Sequence, residues 1–307
     1  MSKNEVVVHL SGGLGNQMFQ YMAGAGLAKE TERELLINTN WFLNPRLLNR
    51  NSPAYLTKRK IDIVQFKAIA ATRVDRSHTP RDGRMERIIS KLSKSIRQAI
   101  GVGLEGDFEN GTWKNAKELN RIFGFFMSPK FFLGVNPNLL FGKLNPPMTS
   151  WSKEIIEKIG NTKSIGVHIR LGDYVALGDK VIPTESYFLS GVEYLKSIQG
   201  NKSKVYFFTD EPDRLSELFP TLTARGVVIS PPKYTTPAEN LIVLSQCKAF
   251  VCSNSTFSWW GAALSTAPKS HIVRPSYFYT AKAEIDSHKD LWSPDTARLH
   301  PLSGNFT

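Results

Sequence analysis

Several short stretches of this chain carry residue types that bind or move charge. One reads Asn254-Ser255-Thr256-Phe257-Ser258-Trp259-Trp260-Gly261. It follows the apolar run Ala249-Phe250-Val251-Cys252, the pattern of a buried parallel strand. Phe257, Trp260, Ala263 and Leu264 then recur at helical spacing. Ser255 or Thr256 therefore stands where a strand ends and a helix begins. Hydroxyls and free N–H groups at such a junction suit an anion, above all a phosphate. The plainer role is an N-cap followed by two core aromatics.

A second stretch is His168-Ile169-Arg170-Leu171-Gly172-Asp173-Tyr174, directly after a predicted strand at 164–169. Strand periodicity puts His168 and Arg170 on one side as that strand runs out. The arginine offers a planar fork of donors suited to a diphosphate. Asp173 is placed to orient it or to accept a proton. The alternative is an edge salt bridge between Arg170 and Asp173, worth little if exposed.

Asp210 and Glu211 end a third predicted strand, before a helix opened by Pro212, where they either cap that helix or touch a ligand. Glu239 falls in the first turn of a predicted helix at 237–247. The helix dipole favours an acid there, and reading a base edge is the other use.

The turn Gly12-Gly13-Leu14-Gly15-Asn16-Gln17 suggests dinucleotide binding but fails as such a site. Met18 stands where the third small residue belongs, and the next strand ends Ile37-Asn38-Thr39-Asn40, with no acid to hold a ribose. What remains is a tight turn presenting Asn16 and Gln17 at the carboxyl end of a strand, where open α/β sheets bind ligands. Alternatively the glycines only shape the turn and Asn16 caps the helix.

The elements that must position these groups are α/β throughout. Predicted strands at 6–10 and 34–38 flank a helix at 17–29 rich in small residues. From residue 164 onward the alternation is regular. Strands are expected at 164–169, 204–209, 227–229, 249–252 and 271–273. Helices are expected at 184–198, 212–219, 237–247 and 256–266. This implies a parallel sheet covered on both faces. Residues 40–150 read poorly, except for an amphipathic helix at 84–100. Its apolar positions follow helical spacing, and Arg84, Arg87, Lys91, Lys94 and Arg97 face a single acid, Glu86. Such a helix can lie in an anionic membrane interface or simply cover a core. The domain boundary is placed near Pro146-Pro147, giving domains at 1–147 and 148–307.

The 307 residues include 39 Lys and Arg against 27 Asp and Glu, a net charge of +12 that favours anionic partners. No zinc-finger spacing or RNA-recognition signature is present, and the aromatics cluster in apolar strands, so nucleic acid is not expected. Cys247 and Cys252 are the only cysteines, which argues against a disulfide framework and fits a reducing compartment. The first apolar run is too short for a signal peptide or membrane span, so a cytoplasmic protein is expected, with peripheral contact to the inner membrane as an extension.

Taken in order, the segments beginning at Gly12, His168, Phe208 and Asn254 resemble the bacterial α-1,2-fucosyltransferases. The segment Phe125-Phe126-Met127-Ser128-Pro129-Lys130-Phe131-Phe132 is similar to another motif of that family. The resemblance runs from residue 5 to about 279. It implies a GT-B-like fold, two Rossmann-like domains with parallel sheets facing a cleft. The N-terminal domain would take the acceptor and the C-terminal domain GDP-fucose. The implied reaction is inverting transfer of L-fucose from GDP-β-L-fucose to the 2-hydroxyl of a terminal galactose on a glycan, including a lipid-linked one. Carried over, Arg170 binds the β-phosphate, and His168 neighbours guanine or ribose. Asn254, Ser255 and Thr256, with Asp210, line the donor, and Glu239 reads guanine. Gly13, Asn16 and Gln17 line the sugar side, with Arg170, Asp173 and Asn16 closest to the chemistry. Leu171 departs from the family, which usually has a second arginine there. No metal or cofactor is expected, and the chain contains no D-x-D motif. Asp173 and Asp179 are candidates for the proton acceptor. The alternatives are another nucleotide-sugar transferase of the same fold, such as an O-fucosyltransferase, or a non-catalytic nucleotide-sugar-binding protein.

Overall fold

The computed structural model describes residues 4–43, 59–70, 72–74, 88, 91–108, 113, 116, 118–142, 146–172, 182–277 and 290–307. The chain divides into two compact units, Met1–Asn145 and Pro146–Thr307.

The N-terminal unit is built on four parallel strands in the order β2-β1-β4-β3. Strand β1 is Glu5–His9, β2 Glu34–Asn38, β3 Val102–Leu104 and β4 Arg121–Phe123. Helix α1, Leu14–Glu30, joins β1 to β2 and starts three residues earlier than its periodicity suggests. Valines and leucines dominate β1 and β2, and Val6, Val7, Val8, Met18, Phe19, Met22 and Leu27 are buried.

The helix expected over 84–100 takes a different form. Residues 84–87, 89 and 90 lie outside the described residues. Ser93 caps a new short helix α2, Lys94–Ala99, so the pattern does not run through as one helix. Its polarity is also reversed. Arg97 is buried against the Asp107 carboxylate, while Ile96 and Ile100 are 51% and 54% exposed. The distant acid draws the cation inward, a choice no local periodicity encodes.

The C-terminal unit follows its sequence pattern closely. Six parallel strands lie in the order β10-β9-β8-β5-β6-β7. They are β5 Ser164–Ile169, β6 Lys204–Thr209, β7 Val227–Ile229, β8 Ala249–Val251, β9 Ile272–Pro275 and β10 Ala297–Leu299. The helices that position the site are α3 Ser150–Gly160, α4 Glu185–Gln199, α5 Pro212–Leu218, α6 Pro237–Ser245 and α7 Thr256–Ala263. Strand β5 is buried along its whole length, as expected of a central parallel strand. Two parallel-sheet α/β units are thus present, as the sequence implies.

In both units the chain leaves the first strand in one direction and later returns to its other side. The order reverses between β1 and β4 in one unit and between β5 and β8 in the other. A crevice opens at the carboxyl ends of such a strand pair.

Candidate active site

In the C-terminal unit the crevice lies between the ends of β5 and β8. His168, near the end of β5, brings Nδ1 within 3.3 Å of the Ser253 hydroxyl just past β8. Its ring stacks on Phe257 of α7, centroids 5.2 Å apart. Burial lowers the His168 pKa; the Asp210 charge opposes this and the nearby Arg170 adds to it, leaving a value of about 4. The imidazole is therefore neutral at physiological pH.

Arg170 leaves β5 and meets the Asp210 carboxylate, Nη1 to Oδ2 at 2.7 Å. The other oxygen, Oδ1, accepts the Leu171 N–H at 3.0 Å. Asp210 is therefore not a cap; Glu211 takes the N-cap position of α5 and makes no side-chain cap bond. Asp210 instead fixes the arginine and the backbone beside it. Gly172 makes this fit possible, since a Cβ there would stand 2.3 Å from Asp210 Oδ2. The alternative partner, Asp173, lies outside the described residues, as does Asp179.

Across the crevice, Asn254 and Ser255 are buried and Thr256 is half-buried. Ser255 is the N-cap of α7, and its side chain makes no capping bond. A helix start carries partial positive charge at its first turn. The turn is anchored from below. Trp260 is fully buried, Trp259 is 7% exposed, and the two rings meet edge to face at 4.8 Å. Trp259 Nε1 donates to the Leu291 carbonyl at 2.8 Å. The Tyr187 hydroxyl holds the end of β8 by donating to the Cys252 carbonyl at 2.6 Å. Cys247 and Cys252 are free and buried, and burial pushes the Cys252 thiol up to about 12.

Glu239 is 2% exposed and fully engaged. Its Oε1 accepts from the Thr149 N–H at 2.7 Å and the Ser152 hydroxyl at 3.1 Å, at the start of α3. Its Oε2 accepts from the Thr236 N–H at 3.0 Å, completing a capping box on α6. Burial raises its pKa, but these hydrogen bonds to the charged form outweigh it and hold the carboxyl below the usual range. Glu239 thus ties α3 to α6.

In the N-terminal unit the crevice lies between the ends of β1 and β4. Gly13 is the N-cap of α1, so Asn16 falls inside the first turn rather than capping it. Asn16 is half-buried. Gln17 is fully buried. Its Nε2 donates to the Gly12 and Lys60 carbonyls at 3.0 and 2.8 Å, and its Oε1 accepts from the Ile63 N–H at 3.0 Å. The expectation that Gln17 lines a cleft thus meets a side chain saturated by internal bonds. Gln20, which sequence reasoning passed over, bridges the two strand ends. It accepts from the Ser11 N–H at 2.8 Å and donates to the Gly124 carbonyl at 3.1 Å. Arg59 was missed as well. Its Nη1 lies 3.5 Å from where a Cβ on Gly13 would stand, which puts a cation beside the glycine turn. A lone arginine in an unreadable stretch gives no signal of this. Nearby, burial pushes the Asp62 carboxyl up against the opposing effects of Gln65, Lys60 and Arg59.

Among the described residues no three His, Cys, Asp or Glu side chains gather where they could hold a metal ion. No described helix is long and apolar enough to cross a membrane.

This geometry can be set beside known proteins. The chain is 27% identical over 296 residues to an α-1,2-colitosyltransferase of Escherichia coli, covering 92% of this chain and 94% of that one. It is 25% identical over 311 residues to the O-antigen biosynthesis glycosyltransferase WbnK of the same organism, covering 92% and 98%. Among solved structures, fucosyltransferase NodZ from Bradyrhizobium matches with a TM-score of 0.48 at 14% identity, covering 86% of this chain and 94% of that one. The model of glycosyl transferase family 11 matches residues 147–293, which include the strand ends and the α7 turn just described. Over that span the C-terminal unit is similar to glycosyl transferase family 11.

Proposed function

We propose that this chain is an inverting galactoside α-1,2-fucosyltransferase. It moves L-fucose from GDP-β-L-fucose to the 2-hydroxyl of a terminal galactose, in the synthesis of O-antigen or another surface polysaccharide. The observation that carries this reading is the Arg170 guanidinium, held by Asp210 in the crevice that also contains the start of α7. Breaking the sugar–phosphate bond leaves negative charge on GDP. A fixed guanidinium and oriented amides meet that charge without reorganising, and losing one such donor costs about two to three orders of magnitude in rate.

In this reading Asn254, Ser255 and Thr256 hold the diphosphate and neutral His168 neighbours the nucleoside. Guanine recognition by Glu239 would require it to give up bonds to Thr149 or Thr236, so its support comes through α3 and α6. Asn16 and Gly13 serve the sugar side. The N-terminal unit takes the acceptor, the two units bind their substrates in the GT-B manner, and Asp173 or Asp179 receives the acceptor proton. An oxocarbenium-like transition state needs no strong base. The protein supplies the cations, so neither metal nor cofactor takes part. The enzyme works in the cytoplasm, beside the inner membrane.

The colitosyltransferase relative favours a second reading in the same site. Colitose is fucose without its 3-hydroxyl, so the two donors differ by one hydrogen-bonding group. The test is incubation with labelled GDP-fucose or GDP-colitose, a panel of galactosides and excess EDTA, followed by linkage analysis. An α-1,2-fucosylated galactoside formed in EDTA is the expected result. Exclusive use of the colitosyl donor selects the second reading. Loss of transfer on chelation, restored by manganese, overturns the metal-free mechanism.

A further inference from the structure

The crevice of the N-terminal unit contains a turn whose shape its local sequence does not favour. Strand β4 ends at Phe123, and the chain then passes through Gly124 at φ 144° and Phe126 at φ 53°. The first value suits glycine. The second is the left-handed region in a bulky aromatic, a conformation costing about 1–3 kcal/mol. Three things hold it there. The Phe126 ring is fully buried, 5.1 Å from Phe131 and 6.0 Å from Trp113. Trp113 is itself fixed by donating Nε1 to the Phe131 carbonyl at 2.7 Å. Finally, the Glu105 carboxylate accepts the N–H groups on either side of Phe126, from Phe125 at 2.8 Å and Met127 at 3.3 Å.

With Phe126 turned inward, Phe125 is left 42% exposed. A single exposed aromatic is ordinary on a surface. This one differs in three respects. It belongs to a turn held in a costly conformation. The Glu105 side chain fixes that turn by two backbone hydrogen bonds. The turn also sits at the carboxyl edge where the strand order reverses, stapled by Gln20 to the glycine turn before Asn16. Strain kept at a ligand-binding edge is characteristic of function.

We propose that Phe125 is an acceptor-binding platform. The C–H face of a pyranose ring of the acceptor lies on its phenyl ring, and Glu105 is the positioning residue that holds the ring in place. Axial C–H groups of a galactoside carry partial positive charge and suit the negative face of an aromatic ring. The inference rests on the proposed function and names the part of the acceptor site that recognises sugar by shape.

The test uses the full-length protein, saturation-transfer NMR with methyl β-galactoside, lactose and N-acetyllactosamine, and steady-state kinetics with GDP-fucose. Phe125→Ala should raise the acceptor KM about tenfold, the size of one lost aromatic contact. GDP affinity and slow hydrolysis of GDP-fucose without acceptor should be unchanged. Phe125→Leu should fail like alanine, since apolar area without a ring does not stack, and Phe125→Trp should bind normally. Glu105→Gln should raise the acceptor KM with Phe125 still present, and this separates positioning from mere support of the fold. An unchanged acceptor KM in Phe125→Ala, or full activity in Phe125→Leu, overturns the platform. Absence of GDP-fucose binding and hydrolysis in the wild type overturns the donor reading instead. Galactoside signals that are absent from the wild type while GDP binds overturn the choice of acceptor, and the platform with it.

Discussion

The two crevices are made by the same topological device and finished differently. Each has a polar side chain that links two parallel strand ends, His168 to Ser253 in one and Gln20 between Ser11 and Gly124 in the other. In the C-terminal unit what faces the crevice is charge: a guanidinium fixed by a carboxylate and a helix start whose N-cap side chain leaves its amides alone. In the N-terminal unit the Gln17 amide is spent on backbone groups and that of Gln20 on Ser11 and Gly124, Arg59 is the cation beside the glycine turn, and Phe125 is left exposed just past β4. Under the proposed function the difference matches two kinds of cargo. A leaving diphosphate needs electrostatic preorganisation. A neutral sugar needs a rigid shape with an apolar face.

The comparison breaks most visibly at Arg170. Arg170→Ala should lower kcat by about two to three orders of magnitude while far-UV dichroism and melting temperature stay near wild type. Arg170→Lys should fail almost as badly, because a point charge cannot replace the bidentate fork. Asp210→Asn should give an intermediate loss, since the arginine remains but its orientation is relaxed. Near-normal turnover in folded Arg170→Ala would remove the electrostatic account of the C-terminal crevice.

The next largest effect is on stability against pH and belongs to the same crevice. His168 has a folded-state pKa of about 4, below the 6.5 of an unperturbed imidazole. As pH falls, the unfolded chain takes up this proton first. The stabilisation from a neutral His168 is therefore complete above pH 6.5 and is lost as pH drops towards 4, by at most about 3 kcal/mol. Melting curves between pH 7.5 and 4 should show this loss in the wild type and much less of it in His168→Asn. Identical pH profiles for the two proteins would remove the buried, neutral histidine from the account.

Gln17 sharpens the contrast from the other side. Gln17→Ala leaves the Ile63 N–H without its partner in a buried place and the Lys60 carbonyl without its partner in a part-buried one. That should cost about 1–3 kcal/mol of stability. Calorimetry should register the loss, with acceptor KM little changed at temperatures where the protein is folded. A raised acceptor KM at unaltered melting temperature would return Gln17 to the sugar-binding surface.

The unequal legibility of the two units has a physical cause. In the C-terminal unit strands such as Ile165 to Ile169 are buried on both faces, so they appear as unbroken apolar runs whose ends carry the chemistry. His168, Arg170 and Ser255 therefore stand out in the sequence, where a strand visibly stops. Asp210 also ends a visible strand, but its pairing with Arg170, 40 positions away in sequence, is not legible there. The last strand, Ala297–Leu299, was missed, since three residues with a central arginine give no run. In the N-terminal unit β3 and β4 have three residues each, with Gly103 and Arg121 among them. The side chains that shape its crevice act at long range. Gln17 reaches Lys60 and Gln20 reaches Gly124, 43 and 104 positions on. A glutamine gives no sign, in its own neighbourhood, of whether its amide will meet ligand or backbone.

The smallest expected effect concerns the stretch before β3, where sequence and structure differ most. An amphipathic 84–100 helix would either dock on an anionic membrane with all its cations beside an apolar face or turn that face into the core. In the described part Arg97 is buried on Asp107, and Ile88, Ile96 and Ile100 are exposed beside exposed Lys91. Peripheral contact with an anionic membrane, if made here, would join inserted isoleucines to fewer cations than the sequence counts. Each cation near such a surface adds about 1 kcal/mol, screened within about a Debye length. Flotation with vesicles containing phosphatidylglycerol should therefore show weak binding at low salt that falls as salt rises. Ile96→Ser with Ile100→Ser should abolish it and leave turnover on a soluble galactoside unchanged. Arg97→Gln should instead lower the melting temperature, because it strands the buried Asp107 charge. Equal flotation of the double serine variant and the wild type would leave these isoleucines as ordinary surface residues.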